Sequence, residues 1–190
     1  MDTPSRLSSL LLLSAILSFL SACAREPEPS PDYFSWTNPV TGAVVHMPEG
    51  WRQSPETASK GETTVGYFTP NFASMMGNYG KVTLHYEDMR KISGPMTLQK
   101  FVGNFIGYMR SQTDHLSEPI FELHNGIPHA RLSVEISHKN RQFLLRARFW
   151  TQNGRDYWYA IAESPIEDGD FAETATPLIE ELQASTMAIE

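Results

Sequence analysis

Alternating apolar and polar positions over residues 119–163 predict four antiparallel strands joined by three tight turns. The turns fall at Asn125-Gly126, Lys139-Asn140 and Asn153-Gly154, and Asn-Gly is the pair that best accepts positive φ at both central positions of a two-residue hairpin. Two-residue turns at the first two sites fix the register and place only apolar residues on one face. The opposed pairs are Leu123 with Pro128, Phe121 with Ala130, Ile136 with Phe143, Val134 with Leu145, Leu132 with Ala147, and Ala130 with Phe149.

Shorter strands are predicted before this meander, at residues 34–36, 43–47, 63–69 and 81–86. A helix is predicted over residues 97–112, because one stripe of apolar residues repeats there with a 3.6-residue period. The stripe consists of Leu98, Phe101, Val102, Phe105 and Met109.

A second helix is predicted at the end of the chain, opened by Asp168 or Asp170. Pro177 interrupts it, either as a kink or as the first residue of a new helix capped by Thr176. The apolar stripe of this helix consists of Phe171, Ala175, Leu178, Ile179 and Leu182.

The order of four strands, helix, four strands and helix predicts an α+β fold, with an antiparallel sheet of about 6–8 strands flanked by two main helices. With its early hairpin, its Pro48-x-Gly50-Trp51 corner, its central helix, its long meander and its closing helix, the chain resembles the PsbP-like α/β/α sandwich family. The resemblance implies an accessory role, since plant members assist photosystem II and bacterial relatives include envelope lipoproteins. It brings no catalytic motif, so we expect no enzymatic activity.

The first 22 residues have the pattern of a secretory signal, in which Arg6 precedes a short apolar run broken by serines. The run ends in Leu20-Ser21-Ala22-Cys23, which resembles the lipobox of bacterial lipoproteins. The resemblance implies that Cys23, the only cysteine, carries a thioether-linked diacylglycerol and an N-linked acyl chain such as palmitate. Ala22-Cys23-Ala24 also matches an ordinary cleavage site, which would release a soluble protein beginning at Arg25.

We therefore predict a lipoprotein signal peptide at residues 1–22, a lipidated cysteine with a Pro-rich tether at 23–32, and a single PsbP-like domain at 33–190. The tether would hold the domain roughly 25 Å from the lipid. Because Ala24, and not aspartate, follows Cys23, the resemblance implies an anchor in the outer membrane with the domain in the periplasm. The net charge of −7, without clustered acidic residues, argues against binding to nucleic acid.

Candidate chemistry is sparse. The first hairpin places His129 opposite Glu122 with His124 on the same face, a set that could hold a divalent metal ion weakly or could be a solvated polar hairpin end. No zinc-binding spacing, Gly-x-Ser-x-Gly motif or phosphate-binding glycine loop occurs, and we expect no cofactor apart from the lipid on Cys23.

Two candidate binding surfaces remain. A two-residue turn at Asn153-Gly154 would gather Trp150, Arg148, Arg146, Tyr157 and Tyr159 on the second face of the meander, where arginine and aromatic rings suit an acidic or aromatic partner. A bulge in that turn would move Tyr157, Tyr159 and Ile161 to the core face, and a helix could cover the second face altogether.

Residues 70–80 carry Phe72, Met75, Met76 and Tyr79, which could form an adaptable apolar surface or a flap over a sheet edge. The sequence thus predicts a lipid-anchored, non-enzymatic module that binds a protein partner in the envelope. The alternatives are a carrier or sensor of a small apolar or lipid ligand and, less favoured, a metal-dependent hydrolase.

Overall fold

A computed structural model describes residues 35–53, 63–70, 80–168 and 171–188, which all lie in one compact unit. Cys23 and the loop residues Met75 and Met76 lie outside the described residues. Over these described residues the fold is α+β, with a main antiparallel sheet of eight strands, a separate two-stranded hairpin and three helices. None of the described helices combines the length and the apolarity needed to cross a bilayer.

The separate hairpin consists of β1 (Ser35–Thr37) and β2 (Val44–His46). The main sheet has the order β3-β4-β5-β10-β9-β8-β6, and β7 also pairs with β8. The short strands β3 and β6 carry too little alternation to be predicted from the sequence. The bounds are β3 Trp51–Gln53, β4 Thr64–Pro70, β5 Lys81–Asp88, β6 His115–Leu116, β7 Ile120–His124, β8 Ile127–His138, β9 Arg141–Trp150 and β10 Asp156–Pro165.

The predicted register of the first two meander turns is confirmed at every pair from Leu123–Pro128 to Ala130–Phe149. Asn125, Gly126, Lys139 and Asn140 all have positive φ, between 49° and 79°. This backbone matches the right-handed twist of the flanking strands, and a two-residue turn of this kind leaves one possible pairing.

The register across the third turn differs from the prediction. Trp150 pairs with Trp158, whereas a two-residue turn would have paired it with Tyr157. The extra residue moves Tyr157, Tyr159 and Ile161 to the opposite face of the sheet, where they pack among the predicted core residues. The alternative expected for a bulged turn is therefore the one observed.

Side-chain hydrogen bonds hold this longer turn. The Asn153 Oδ1 accepts the backbone N–H groups of Arg155 and Asp156, both at 2.8 Å. The Thr151 hydroxyl accepts the backbone N–H of Gly154 at 3.0 Å and donates to the Asp156 carbonyl at 2.8 Å. Because Asn and Thr side chains can replace backbone partners in this way, the turn closes with five residues between the strands.

The helices are α1 (Met89–Ile92), α2 (Leu98–Met109) and α3 (Phe171–Met187). Thr97 caps α2, since its Oγ1 accepts the backbone N–H of Lys100 at 3.3 Å. The predicted stripe of α2 packs on one face of the sheet, called here the α2 side, with the apolar face of the meander.

The predicted stripe of α3 is buried on the other face, called here the α3 side. The helix continues through Pro177, and the Thr176 hydroxyl donates to the carbonyl of Ala172 at 3.0 Å. Thr176 is thus not the cap of a new helix. With one main helix on each face, the domain is the predicted sandwich.

Candidate functional site

An open groove lies on the α3 side, between the first half of α3 and strands β8 to β10. It arises because α3 packs chiefly on β2, β5 and β10, so that part of β8 and β9 stays uncovered. The volume of the groove is about 510 Å³. Its lining includes the three arginines 131, 146 and 148, the apolar residues Ile120, Ala162 and Ile179, and the acidic residues Glu118 and Glu173.

The strand register determines where the arginines stand. Arg148 on β9 lies directly opposite Arg131 on β8, and Arg146 is two residues further along the same face. On the β10 flank the residues opposite Arg148 and Arg146 are Ala160 and Ala162, whose small side chains leave room. The groove is therefore a trough with arginines along its β8–β9 wall.

Among the described residues, two of these three arginines form no ion pair, although Glu118 and Glu173 line the same groove. Arg131 pairs with Glu122, with 4.0 Å between Nε and Oε2, and the two side chains are 55% and 39% exposed. In the part of the chain that the structure describes, neither Arg146 nor Arg148 has a carboxylate within ion-pair distance. Like charges directly opposed across a sheet destabilise it, so an anionic group placed between Arg131 and Arg148 would be favoured.

Three of the five predicted surface residues do not belong to this groove. Trp150 is fully buried, and its Nε1 donates to the Thr186 hydroxyl on α3 at 2.9 Å. Tyr157 and Tyr159 lie on the α2 side, where burial raises the pKa of both phenols. The predicted mixed arginine and aromatic surface was therefore wrong in its aromatic part, while Arg146 and Arg148 do line an open groove.

The buried tyrosines have structural hydrogen bonds. The Tyr157 hydroxyl donates to the carbonyl of Met96 at 2.6 Å, and the Tyr159 hydroxyl donates to Glu87 at 3.2 Å. Tyr159 also stacks on His85, with 4.5 Å between ring centroids. Burial lowers the pKa of His85 to about 4, and both ring nitrogens are hydrogen-bonded to threonine hydroxyls. This cluster joins β4, β5 and β10, and the sequence spacing gave no sign of it.

The two hairpin histidines and Glu122 do not converge as a set of three metal ligands in the described part of the chain. Glu122 does stand opposite His129 as predicted, and the His124 ring lies 5.6 Å from that of His129. However, His129 is only 2% exposed, and its Nε2 is 3.1 Å from the amide nitrogen of Gln183 on α3. Among the described residues, no three His, Cys, Asp or Glu side chains converge closely enough to hold a metal ion.

The environment of His129 keeps its ring neutral. Burial, and then the positive charges of Arg148 and His124, lower its pKa to about 4, against a smaller opposing effect of Glu122. The amide nitrogen of Gln183 can only donate, so the His129 Nε2 accepts this hydrogen bond as an unprotonated nitrogen. This hydrogen bond therefore links α3 to strand β8 of the main sheet.

The rim residues of the groove were not predicted. Glu118, Glu173 and Ile179 come from three separate segments, and only the packing of α3 on the sheet brings them near the arginines. The apolar period of α3 indicated that Ile179 would face the sheet. Nothing in the sequence indicated which strands the helix would leave uncovered.

No model of a known protein family matches the sequence, and no curated protein is detectably similar to it. Similar folds do occur among solved structures. One is the cyanobacterial PsbP protein CyanoP from Synechocystis, with a TM-score of 0.51 and 12% identity, where the match covers 86% of this chain and 97% of the other. Another is LpqN of Mycobacterium tuberculosis, a protein involved in cell envelope biogenesis, with a TM-score of 0.50 and 12% identity over 74% of this chain and 78% of the other. At these identities the likeness concerns the fold, and the fold of this chain is PsbP-like.

Proposed function

We propose that this protein is a lipid-anchored, non-enzymatic accessory module of the cell envelope that binds an acidic segment of a protein partner in the arginine-lined groove. The observation that carries the proposal is the arrangement of the arginines in that groove, where Arg131 faces Arg148 and, among the described residues, Arg146 and Arg148 form no ion pair. Arginine forms bidentate hydrogen bonds with carboxylates, so aspartate or glutamate side chains suit these positions. The apolar residues Ile120 and Ile179 would contact the neighbouring apolar side chains of the partner.

The envelope location is supported by the sequence before the domain. The lipobox-like residues 20–23 follow a signal-like apolar run, and Ala24 favours transport to the outer membrane. The fold is also found in LpqN, which is involved in cell envelope biogenesis in its own organism. A tethered domain of this kind would meet its partner on the periplasmic side of the membrane.

The anchor is tested with Cys23→Ala in the full chain. We expect the natural protein to carry the mass of a diacylglycerol and an acyl chain on Cys23 and to sediment with membranes, and the variant to lose both. A mature protein that begins at Arg25 without lipid mass would contradict the anchor. This outcome would not bear on the proposal that the groove binds an acidic segment.

The groove is tested by photo-crosslinking in living cells, with a photoreactive amino acid at the exposed rim position Thr176. We expect one specific protein adduct, which is lost when Arg146→Glu and Arg148→Glu are combined. Arg141→Glu is the matched control, since Arg141 is an exposed arginine on the same strand β9 outside the groove. An adduct that survives the double variant, or disappears equally with Arg141→Glu, would exclude the groove as the binding site.

A second function, carriage of a small amphipathic anion, is favoured by the size of the groove. Its volume of about 510 Å³ falls within the range of small-molecule pockets, and it combines arginines with apolar side chains. Solvent extraction of the purified protein followed by mass spectrometry distinguishes the two functions. A stoichiometric small acid that is absent from the Arg146→Glu, Arg148→Glu variant would identify a carrier.

A further inference from the structure

Strand β7 (Ile120–His124) forms one edge of the main sheet, and all five of its residues are exposed. Three of them are large apolar residues, with 52% of Ile120, 40% of Phe121 and 73% of Leu123 exposed. An exposed apolar edge strand is a ready site for pairing with a further strand.

The backbone of β7 is available for such pairing at defined positions. The two-residue turn at Asn125-Gly126 makes His124 and Ile127 a hydrogen-bonded pair, so alternate residues of β7 bond to β8. The backbone N–H and C=O groups of Phe121 and Leu123 then point away from β8. In the described part of the chain they meet no other segment.

A hollow of about 630 Å³ lies beside this edge on the α2 side. Phe121 and Leu123 line it together with Met96, Leu98 and Tyr157. The apolar side chains and the free backbone groups therefore belong to the same two residues. A strand added here would gain both hydrogen bonds and apolar contacts.

We propose that β7 pairs antiparallel with β7 of a second copy of this chain, about a two-fold axis at Leu123. In a symmetric hydrogen-bonded pairing, the residues with outward backbone groups, Phe121 and Leu123, must face one another. Phe121 can face Phe121, Phe121 can face Leu123, or Leu123 can face Leu123. The two-fold axis then lies at Phe121, Glu122 or Leu123, respectively. A centre at Glu122 sets two glutamates against each other, and a centre at Phe121 sets Glu122 against Ile120. Only the centre at Leu123 places Glu122 of each copy opposite His124 of the other, which is the complementary arrangement.

In this dimer the two main sheets join into one continuous sheet. The two Leu123 side chains meet on the α2 side, and the Glu122–His124 pairs lie on the α3 side. A contact of one short strand is smaller than the 1,200–2,000 Å² of a typical stable interface, so the dimer depends on a high local concentration. In this respect it rests on the membrane anchor proposed above, although it does not depend on the ligand of the groove.

The pairing is tested by oxidative crosslinking in intact cells that produce the full chain with Leu123→Cys. Residues opposed in a hydrogen-bonded antiparallel pair have Cα atoms about 5.5 Å apart, which a disulfide can span. Phe121→Cys is the control, because the two Phe121 residues of the dimer are four positions out of register, at about 13 Å. The unmodified chain shows any crosslinking through Cys23 itself.

We expect a disulfide-linked dimer with Leu123→Cys and none above the unmodified chain with Phe121→Cys. Adding His124→Glu to Leu123→Cys should reduce crosslinking several-fold, because Glu122 then faces glutamate, and further adding Glu122→Lys should restore it. Three outcomes would overturn the proposal. They are crosslinking with Phe121→Cys alone, crosslinking only between mixed Leu123→Cys and Phe121→Cys chains, and crosslinking with neither variant. The intact mass of the protein from the same cells shows whether Cys23 carries lipid, so an absence of crosslinking in lipidated protein counts against the strand pairing, and an absence of lipid counts against the anchor.

Discussion

Acidification from pH 7 to pH 5 should weaken the attachment of α3 to the sheet, because His129 is held neutral. In the folded protein its Nε2 accepts a hydrogen bond from Gln183, and its pKa is lowered to about 4. In the unfolded chain the ring has an ordinary pKa of 6.5. As the pH falls below 6.5, the unfolded state therefore binds a proton that the folded state does not bind, and stability is lost until the pH reaches about 4.

The size of the effect follows from the two pKa values. Each pH unit in this window costs at most about 1.4 kcal/mol, so the 1.5 units from pH 6.5 to 5 correspond to about 2 kcal/mol. Water and ions that reach Arg148 through the groove screen part of the repulsion, which leaves about 1–2 kcal/mol. Protonation would also set a ring N–H against the donor side of the Gln183 amide.

The measurement is urea unfolding at pH 7 and pH 5, followed by tryptophan fluorescence. His129→Gln keeps a polar side chain beside Gln183 and cannot titrate, so it should lose about 1–2 kcal/mol less than the unmodified protein between the two pH values. His138→Gln, at an exposed position on the same strand, is the surface control for the same substitution. His85 is present in every variant, so its contribution cancels.

Nuclear magnetic resonance provides an independent check, since the His129 ring should remain unprotonated at pH 5. The reasoning is wrong if His129 titrates near pH 6.5, or if His129→Gln and the unmodified protein lose the same free energy of unfolding. A larger loss in the variant would indicate that the protonated ring finds a better partner than Gln183.

Two pairs of substitutions test the packing. Leu145→Ala removes a side chain that is 8% exposed on the α2 side and should lower the free energy of unfolding by about 2–5 kcal/mol, whereas Leu123→Ala, at 73% exposure, should change it by less than about 0.5 kcal/mol. Equal losses in urea unfolding would contradict the register. Gly80→Ala would drive its Cβ into the Phe171 ring and should cost about 1–3 kcal/mol, while Gly103→Ala on α2 meets open space and should gain about 0.5–1 kcal/mol. A neutral Gly80→Ala in thermal unfolding would show that the ring moves aside.

The sequence predicted the parts of the fold that depend on local rules. Two-residue turns with positive φ at Asn125-Gly126 and Lys139-Asn140 leave one register, so every predicted pair across them was found. The register predicted for the third turn was wrong, because the Asn153 and Thr151 side chains form hydrogen bonds with the backbone and stabilise a longer loop. The Asn153-Gly154 dipeptide alone does not reveal this loop. The sequence allows a bulge at this turn, but it does not determine the length of the loop.

The candidate site was predicted in part for a related reason. Alternation along β9 put Arg146 and Arg148 on one face, which is a local property of the strand. Whether that face is open depends on how α3 crosses the sheet, which is set by contacts distant in sequence. Trp150 shows the difference, because it has the same alternation as the arginines but lies where the C-terminal end of α3 covers the strand and Thr186 bonds to it.

The loop between Trp150 and Asp156 also constrains how the chain can change over evolution. With five residues in this loop, the register of β10 against β9 places the tyrosines of β10 on the α2 side and its alanines on the groove side. Removing or adding one residue would exchange these two sets, and would thereby bury small side chains where rings are needed. Removing or adding two residues would preserve the phase, so we expect relatives of this protein to vary the loop in steps of an even number of residues.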